Sequence, residues 1–282
     1  LNLGWACNCA GDILDFATLA LSLAARSRPT TVFTFHSIAR APYASILSTD
    51  NSLLGPDVFS RFIEWLASRA NVIATEEIAP SGGGPSARKP VAALTFDDGF
   101  LDHYTTVYPL LRSHGLTGCF FIPTGLIGRA GGVSRSMVRE MSDGGMTIGS
   151  HSVSHSKLSQ LGSAEILHEL TASKHYLEDL TGRACSQLAY PYGNYNEAAR
   201  QTAMQAGYER AFASTPSTSL SDTFAMPRVS IPYTRSTWRY AGVLHDAGRW
   251  RRALGRSEKL DRFVHASLGY NSERLGWPRS MR

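Results

Sequence analysis

Short apolar runs rich in β-forming residues recur along this 282-residue chain, with helical stretches between them. The runs are Thr31–His36, Val91–Phe96, Gly118–Pro123, Met146–Ser150, Gln187–Tyr190, Arg210–Ala213 and Pro227–Ile231. Segments this short and this apolar suit strands buried on both faces of a parallel sheet. Between them, Asp57–Ala70 spaces Val58, Phe62, Trp65 and Leu66 as a helix does. Ala164–Leu180 repeats Ile166, Leu167, Leu170, Tyr176 and Leu177, with Ser163 as its N-cap. Asn196–Gly207 ends on a glycine suited to a helix C-terminus. Strands alternating with helices imply βα units in an α/β fold. Seven such strands nearly close a barrel.

The bulk numbers set broad limits. A hydrophobic content of 43% and a charged content of 18% describe a globular chain with a sizeable core. Net charge is +5, and arginines gather late, at Arg235, Arg239, Arg249, Arg251, Arg252, Arg256, Arg262, Arg274, Arg279 and Arg282. A charge run is ordinarily a solvated face; the alternatives are contact with an acidic glycan or an anionic membrane surface. No nucleic-acid motif accompanies it. Cys7, Cys9, Cys119 and Cys185 form no disulfide framework, which favours a reducing compartment. No apolar run reaches membrane-spanning length. Ile13–Ala25 is mostly apolar, but Asp12 and Asp15 stand where a signal peptide carries positive charge, so a short helix is expected. The expected location is cytoplasmic, or extracytoplasmic if a signal peptide has been removed. The expected organisation is a helical segment over 1–29, a catalytic domain over 30–248 and a basic tail over 249–282. Pro80–Ser86 reads as a surface loop.

Chemistry-bearing residues fall at the C-terminal ends of the strand-like runs, the edge of a βα barrel where active sites gather. They are His36, Asp97, Asp98, His151 and Tyr192; Arg228 lies near the start of its run. Thr95-Phe96-Asp97-Asp98-Gly99 places two carboxylates side by side, and on an extended chain they point to opposite sides. His151 and His155, four apart, would share one face of a helical turn. Two imidazoles and one carboxylate suit a borderline divalent ion such as zinc and leave a position open for water. The second carboxylate is then free to act as a base. Tyr190-Pro191-Tyr192-Gly193 has turn chemistry that can aim a backbone N–H at a developing oxyanion. His103, His114, His168 and His175 lack such context and read as surface residues.

These motifs resemble the polysaccharide deacetylase family, the NodB-homology domains of carbohydrate esterase family four. Thr95–Gly99 and His151-Ser152-Val153-Ser154-His155 match that family's first two motifs, and Leu188–Gly193 is similar to its third. The resemblance covers about Thr31 to Tyr233. It implies a distorted (β/α)7 barrel and hydrolysis of N-acetyl groups from amino sugars in a glycan or glycan precursor. In that scheme Asp98, His151 and His155 hold the metal: zinc first, with cobalt, nickel or manganese as alternatives. Asp97 is the base, the Tyr192 N–H serves the oxyanion, and Tyr190, Pro191 and Tyr192 face the substrate. Other readings on the same scaffold are a hydrolase of non-glycan amides or imides, and a carbohydrate-binding protein impaired in catalysis. Nucleic acid is not an expected partner, the basic tail is a candidate for peripheral membrane contact, and oligomeric state is open.

The chain departs from the family twice. Ala189 stands where the family usually carries an arginine that pairs with the base, and Arg228 in Met226-Pro227-Arg228-Val229 is the expected replacement. The form resembles the poly-N-acetylglucosamine deacetylase branch, some of whose members have the first strand permuted to the N-terminus. That puts the general acid at His36, which ends Thr31–His36; His245 in Val243-Leu244-His245 is the alternative.

Overall fold

The structure is a computed structural model that describes residues 30–39, 54–79, 89–213 and 219–230. The strands are β1 (Thr31–Phe35), β2 (Asn71–Val72), β3 (Val91–Asp97), β4 (Cys119–Ile122), β5 (Thr147–Ser150), β6 (Gln187–Ala189), β7 (Arg210–Ala213), β8 (Met226–Pro227) and β9 (Val229–Ser230). The helices are α1 (Pro56–Arg69), α2 (Tyr108–Ser113), α3 (Arg135–Asp143), α4 (Ser163–Thr181) and α5 (Glu197–Gln205). Every strand pairing is parallel, in the order β8-β7-β6-β5-β4-β3-β1-β9, with β2 beside β3.

The two ends of that order are joined by covalent chain. β8 pairs with β7 and β9 pairs with β1, and only Arg228 lies between them. One interrupted strand therefore closes the ring, giving seven staves and the nearly closed barrel expected from the alternation. The first strand in the chain, β1, sits between β3 and this last strand.

Two-residue periodicity sorts the strands' side chains into two cores. Phe33, Phe35, Leu94, Phe96, Phe120, Ile122, Ile148 and Leu188 point outward and pack under the helices. Phe96 stacks on Phe35 at 5.4 Å and on Phe120 at 4.8 Å between ring centroids. Val32, Val91, Ala93, Cys119, Phe121, Ala189, Phe212 and Met226 form the second, inner cluster. Continuing the same alternation toward the C-terminal edge brings Thr95, Asp97 and Arg228 to the interior. This is why near-continuous apolar runs end in buried polar groups.

Some local expectations are corrected. The N-cap of α4 is Gly162, whose N–H donates to Glu165 Oε2 at 2.8 Å; Ser163 is already helical. Asn196 is a cap, accepting from the Ala199 N–H at 2.9 Å, and Gly207 follows α5 at φ +80°. The last strand begins at Met226, not Pro227, and Ile231 lies outside the described residues. So do the 1–29 segment, the 80–86 loop, Cys7, Cys9, His245 and the basic tail. No helix among the described residues is long and apolar enough to cross a membrane.

Gly149 on β5 is required by close approach. A Cβ there would lie 2.5 Å from Phe121 ring carbons, and Phe121 is fully buried in the inner core with no room to retreat. Gly149→Ala should destabilise the fold by roughly 1–3 kcal/mol, the usual cost of overpacking, read as a lowered urea midpoint.

Candidate metal centre and active site

Asp97 ends β3, and its carboxylate is gripped by the last strand of the barrel. Arg228 Nη1 donates to Asp97 Oδ1 at 2.6 Å and Nη2 donates to Oδ2 at 2.7 Å. Both residues are buried. Arg228 Nη1 also donates to Thr95 Oγ1 at 3.3 Å, and Thr95 in turn donates to the Phe33 carbonyl at 2.8 Å. The guanidinium carbon lies 5.6 Å from the Phe121 ring centre and 6.0 Å from that of Phe212. Burial pushes the Asp97 carboxyl up, but Arg228 overrides it and holds the group below the ordinary carboxylate value. An arginine donated from the last strand thus stands in the role left open by Ala189.

Asp98 does not continue the strand. Its φ is +79°, followed by Gly99 at +64°, so the chain turns sharply and both carboxylates stay buried rather than splaying to opposite sides. The histidine pair is likewise not helical. His151–His155 is a loop in which Ser152 has φ +64° and His155 +60°. Tyr192, at +58°, completes the set of non-glycine residues with positive φ among those described. All four lie in this site. Such conformations cost on the order of 1–3 kcal/mol each and persist only where the surroundings over-determine them.

What holds the loop is a hydrogen-bond lattice built from its serines. The Ser152 N–H donates to Ser150 Oγ at 3.2 Å, and the His155 N–H donates to Ser152 Oγ at 3.1 Å. Glu169 on α4 accepts at Oε2 from the N–H groups of Val153 (2.8 Å) and Ser154 (2.9 Å), and at Oε1 from Ser154 Oγ (2.7 Å). Burial pushes the Glu169 carboxyl up, but these donors hold it below its usual value.

The lattice brings three ligating atoms together. His151 Nε2 lies 3.5 Å and His155 Nε2 3.2 Å from Asp98 Oδ1, and the ligand atoms of the three residues are all within 4.8 Å of one another. His151 Nδ1 is 2.7 Å from the Ala189 carbonyl, which can only accept, so the proton sits on Nδ1 and the Nε2 lone pair faces Asp98. With His151 neutral, two lone-pair-bearing atoms face each other in a buried site and suit a cation between them. Donors about 2.1 Å from a shared tetrahedral ion stand about 3.4 Å apart, close to the two spacings to Asp98 Oδ1. Burial pushes the Asp98 carboxyl up, yet the two histidines hold it well below the usual carboxylate range. Burial pulls the His151 imidazole down, but Asp98 and the Asp97 charge raise it above its ordinary value.

The remaining residues are placed unequally. His36 leaves β1 half-buried, within electrostatic range of Asp97, Asp98, Arg228 and His151, and burial lowers its pKa. The Tyr192 side chain is 57% exposed and packs against the His155 ring at 4.7 Å, a surface that a ligand can meet. Tyr190 and Pro191 are corrected: both side chains are buried, Tyr190 stacking on Tyr195 at 4.7 Å and donating to the Phe224 carbonyl at 3.1 Å. Their side chains pack inside the loop. His103 is also corrected. It is fully buried, whereas His114, His168 and His175 are exposed as expected. Glu169 went unremarked in the sequence because its partners are backbone N–H groups; the serine-rich spacing was the available signal.

A family model described as polysaccharide deacetylase matches residues 84–211. YxkH of Bacillus subtilis, assigned to the polysaccharide deacetylases, is 26% identical over 197 residues, covering 66% of this chain and 68% of the relative. The poly-β-1,6-N-acetyl-D-glucosamine N-deacetylase of Staphylococcus aureus is 26% identical over 209 residues, 67% of this chain and 71% of the relative. Among solved structures, a Streptococcus pyogenes deacetylase in complex with acetate superposes with a TM-score of 0.66 at 25% identity, covering 74% of this chain and 95% of the other.

The Asp97–Arg228 pair has a pH signature. Because Asp97 is depressed in the fold, its pairing stabilises the protein above the ordinary Asp value near about pH 4 and is lost as pH falls through the folded value. Arg228→Met should cost about 3–5 kcal/mol at neutral pH by stranding a buried carboxylate. The gap to the native chain should narrow in acid, as read by urea denaturation of metal-free protein across pH.

Proposed function

We propose that this chain, which resembles the polysaccharide deacetylases over residues 84–211, hydrolyses the N-acetyl group of an N-acetylated amino sugar in a glycan or glycan precursor, releasing acetate and a free amine. The observation that carries this reading is a buried carboxylate, Asp97, fixed by Arg228 beside a separate Asp98–His151–His155 cluster. A metal centre and an independent base are therefore available within one pocket. The likeness to a deacetylase solved with acetate supports acetyl as the group removed. The similarity to a poly-N-acetylglucosamine deacetylase supports N-acetylglucosamine as the sugar.

Asp98, His151 and His155 would hold the ion, and their mixed oxygen and imidazole set suits zinc first, then cobalt, nickel or manganese. When bound, such an ion supplies Lewis acidity to the attacking water and to the acyl oxygen. Asp97 accepts the proton of the attacking water. Arg228 keeps that carboxylate ionised at neutral pH and fixes its plane, while each oxygen retains a second lone pair to receive the proton. The Tyr192 N–H donates to the oxygen that gains charge as the acyl carbon becomes tetrahedral. An amide nitrogen leaves poorly unless protonated, so a general acid is needed. His36 takes that role, delivering a proton to the leaving nitrogen from the β1 side of the pocket. The exposed Tyr192 ring offers an apolar face to a sugar.

Acetate release from N-acetylglucosamine oligomers should require a divalent metal, be abolished by chelation and return on metal addition. No release from any such oligomer, with release from a non-glycan amide, would move the substrate elsewhere. Asp97→Asn should lower kcat by about 10²-fold or more with metal still bound, whereas His151→Ala should lose the metal. His36→Ala should lower kcat with metal content unchanged; full turnover there would shift the acid role, with His245 next to test.

A further inference from the structure

Two ionisable residues sit fully inside the protein with no part in the chemistry above. Asp102 is 1% exposed and His103 0%. Burying such groups is costly unless they are hydrogen-bonded, so their partners matter. Asp102 Oδ2 accepts from Ser37 Oγ at 2.7 Å, and His103 Nε2 donates to the His36 carbonyl at 2.8 Å. Two consecutive residues beyond β3 thus grip two consecutive residues beyond β1. The barrel does not need these bonds for its register, because β1 and β3 are already paired from Thr31↔Ala92 to Phe35↔Phe96. The grip begins at the first residue past that ladder, His36. His103 is itself packed edgewise against Phe96 (5.8 Å) and Phe100 (5.9 Å) and tilted against Phe120 (5.7 Å), and opens a π-helical turn over His103–Val107.

We propose that Asp102 and His103 are positioning residues for His36. They lock the backbone at the exit of β1 so that the imidazole is presented to the leaving nitrogen. Without them, the His36 carbonyl and the Ser37 hydroxyl lose these partners, and the chain just past β1 relies on the Leu54 N–H that donates to the Ser37 carbonyl at 3.0 Å. A displacement of about 1 Å at a reacting group can cost about 10²-fold in rate. The inference rests on the general-acid role given to His36, and its test separates the two.

The test uses the metal-loaded full chain and acetate release from an N-acetylglucosamine oligomer. Ser37→Ala removes the donor to Asp102, and His103→Phe keeps an aromatic ring while removing the donor to His36. Each should lower kcat about 10- to 100-fold, with KM and bound metal unchanged. Asp102→Asn retains an acceptor for Ser37 and should keep most of the rate that Asp102→Leu loses. Because the residues act only through His36, adding either change to His36→Ala should cost nothing further. Losses that multiply in the double variants would mark a merely structural role and overturn the proposal, as would unchanged kcat in Ser37→Ala and His103→Phe. Unchanged kcat in His36→Ala would instead remove the general-acid reading, and this inference with it. Ser37→Ala carries the test alone if His103→Phe fails to fold.

Discussion

A buried carboxylate must be paired, and the pairing of Asp97 with Arg228 organises much of this molecule. Arg228 lies where the last strand breaks between β8 and β9, the only residue between a segment bonded to β7 and a segment bonded to β1. Its guanidinium crosses the barrel interior to reach both oxygens of Asp97. The residue that completes the ring is therefore also the one that keeps the candidate base ionised. Ring closure and the pairing of Asp97 thus meet at one residue. The surrounding Phe121 and Phe212 exclude water from the guanidinium while presenting ring faces to it, which raises the stake of a correct pairing in low dielectric.

Around that pair, strain and anchoring are balanced. Asp98, Ser152, His155 and Tyr192 hold positive φ although none is glycine. The strained residues are opposed by short hydrogen bonds from neighbouring elements, chiefly the Glu169 carboxylate on α4 and the serines of the histidine loop. The Ala189 carbonyl sets the tautomer of His151 through the backbone of β6. The ligand cluster is thus held by the β3 turn, the α4 helix and β6 together with the serines of its own loop. A rigid setting of this kind suits a site that must present lone pairs at fixed spacing before an ion arrives.

Much of this was legible in the residues. Apolar runs such as Val91–Phe96 and Gly118–Pro123 are buried on both faces, so their composition announces parallel strands directly. Two-residue alternation then dictates that Asp97 and Arg228 fall inside. The i,i+4 spacing of His151 and His155 pointed to a shared ion but to the wrong local geometry, because spacing reports proximity and not dihedral angles. Tyr190 and Pro191 share a motif with Tyr192, yet burial separates them, since the chain leaves β6 at Ala189 into a 3₁₀ turn in which Tyr192, at φ +58°, is exposed. His103 looked like a surface residue because nothing local marks it; its partner, the His36 carbonyl, is 67 residues away.

The sequence by itself determined the βα alternation, the edge at which polar residues collect, and the residue types able to hold a metal and move a proton. Those properties are local, written in periodicity and side-chain chemistry. Only the tertiary structure decided which arginine meets Asp97, which helix anchors the histidine loop, and which buried residues steady His36. Each of those is a contact between segments far apart in the chain, made where barrel closure forces polar groups to find partners away from water.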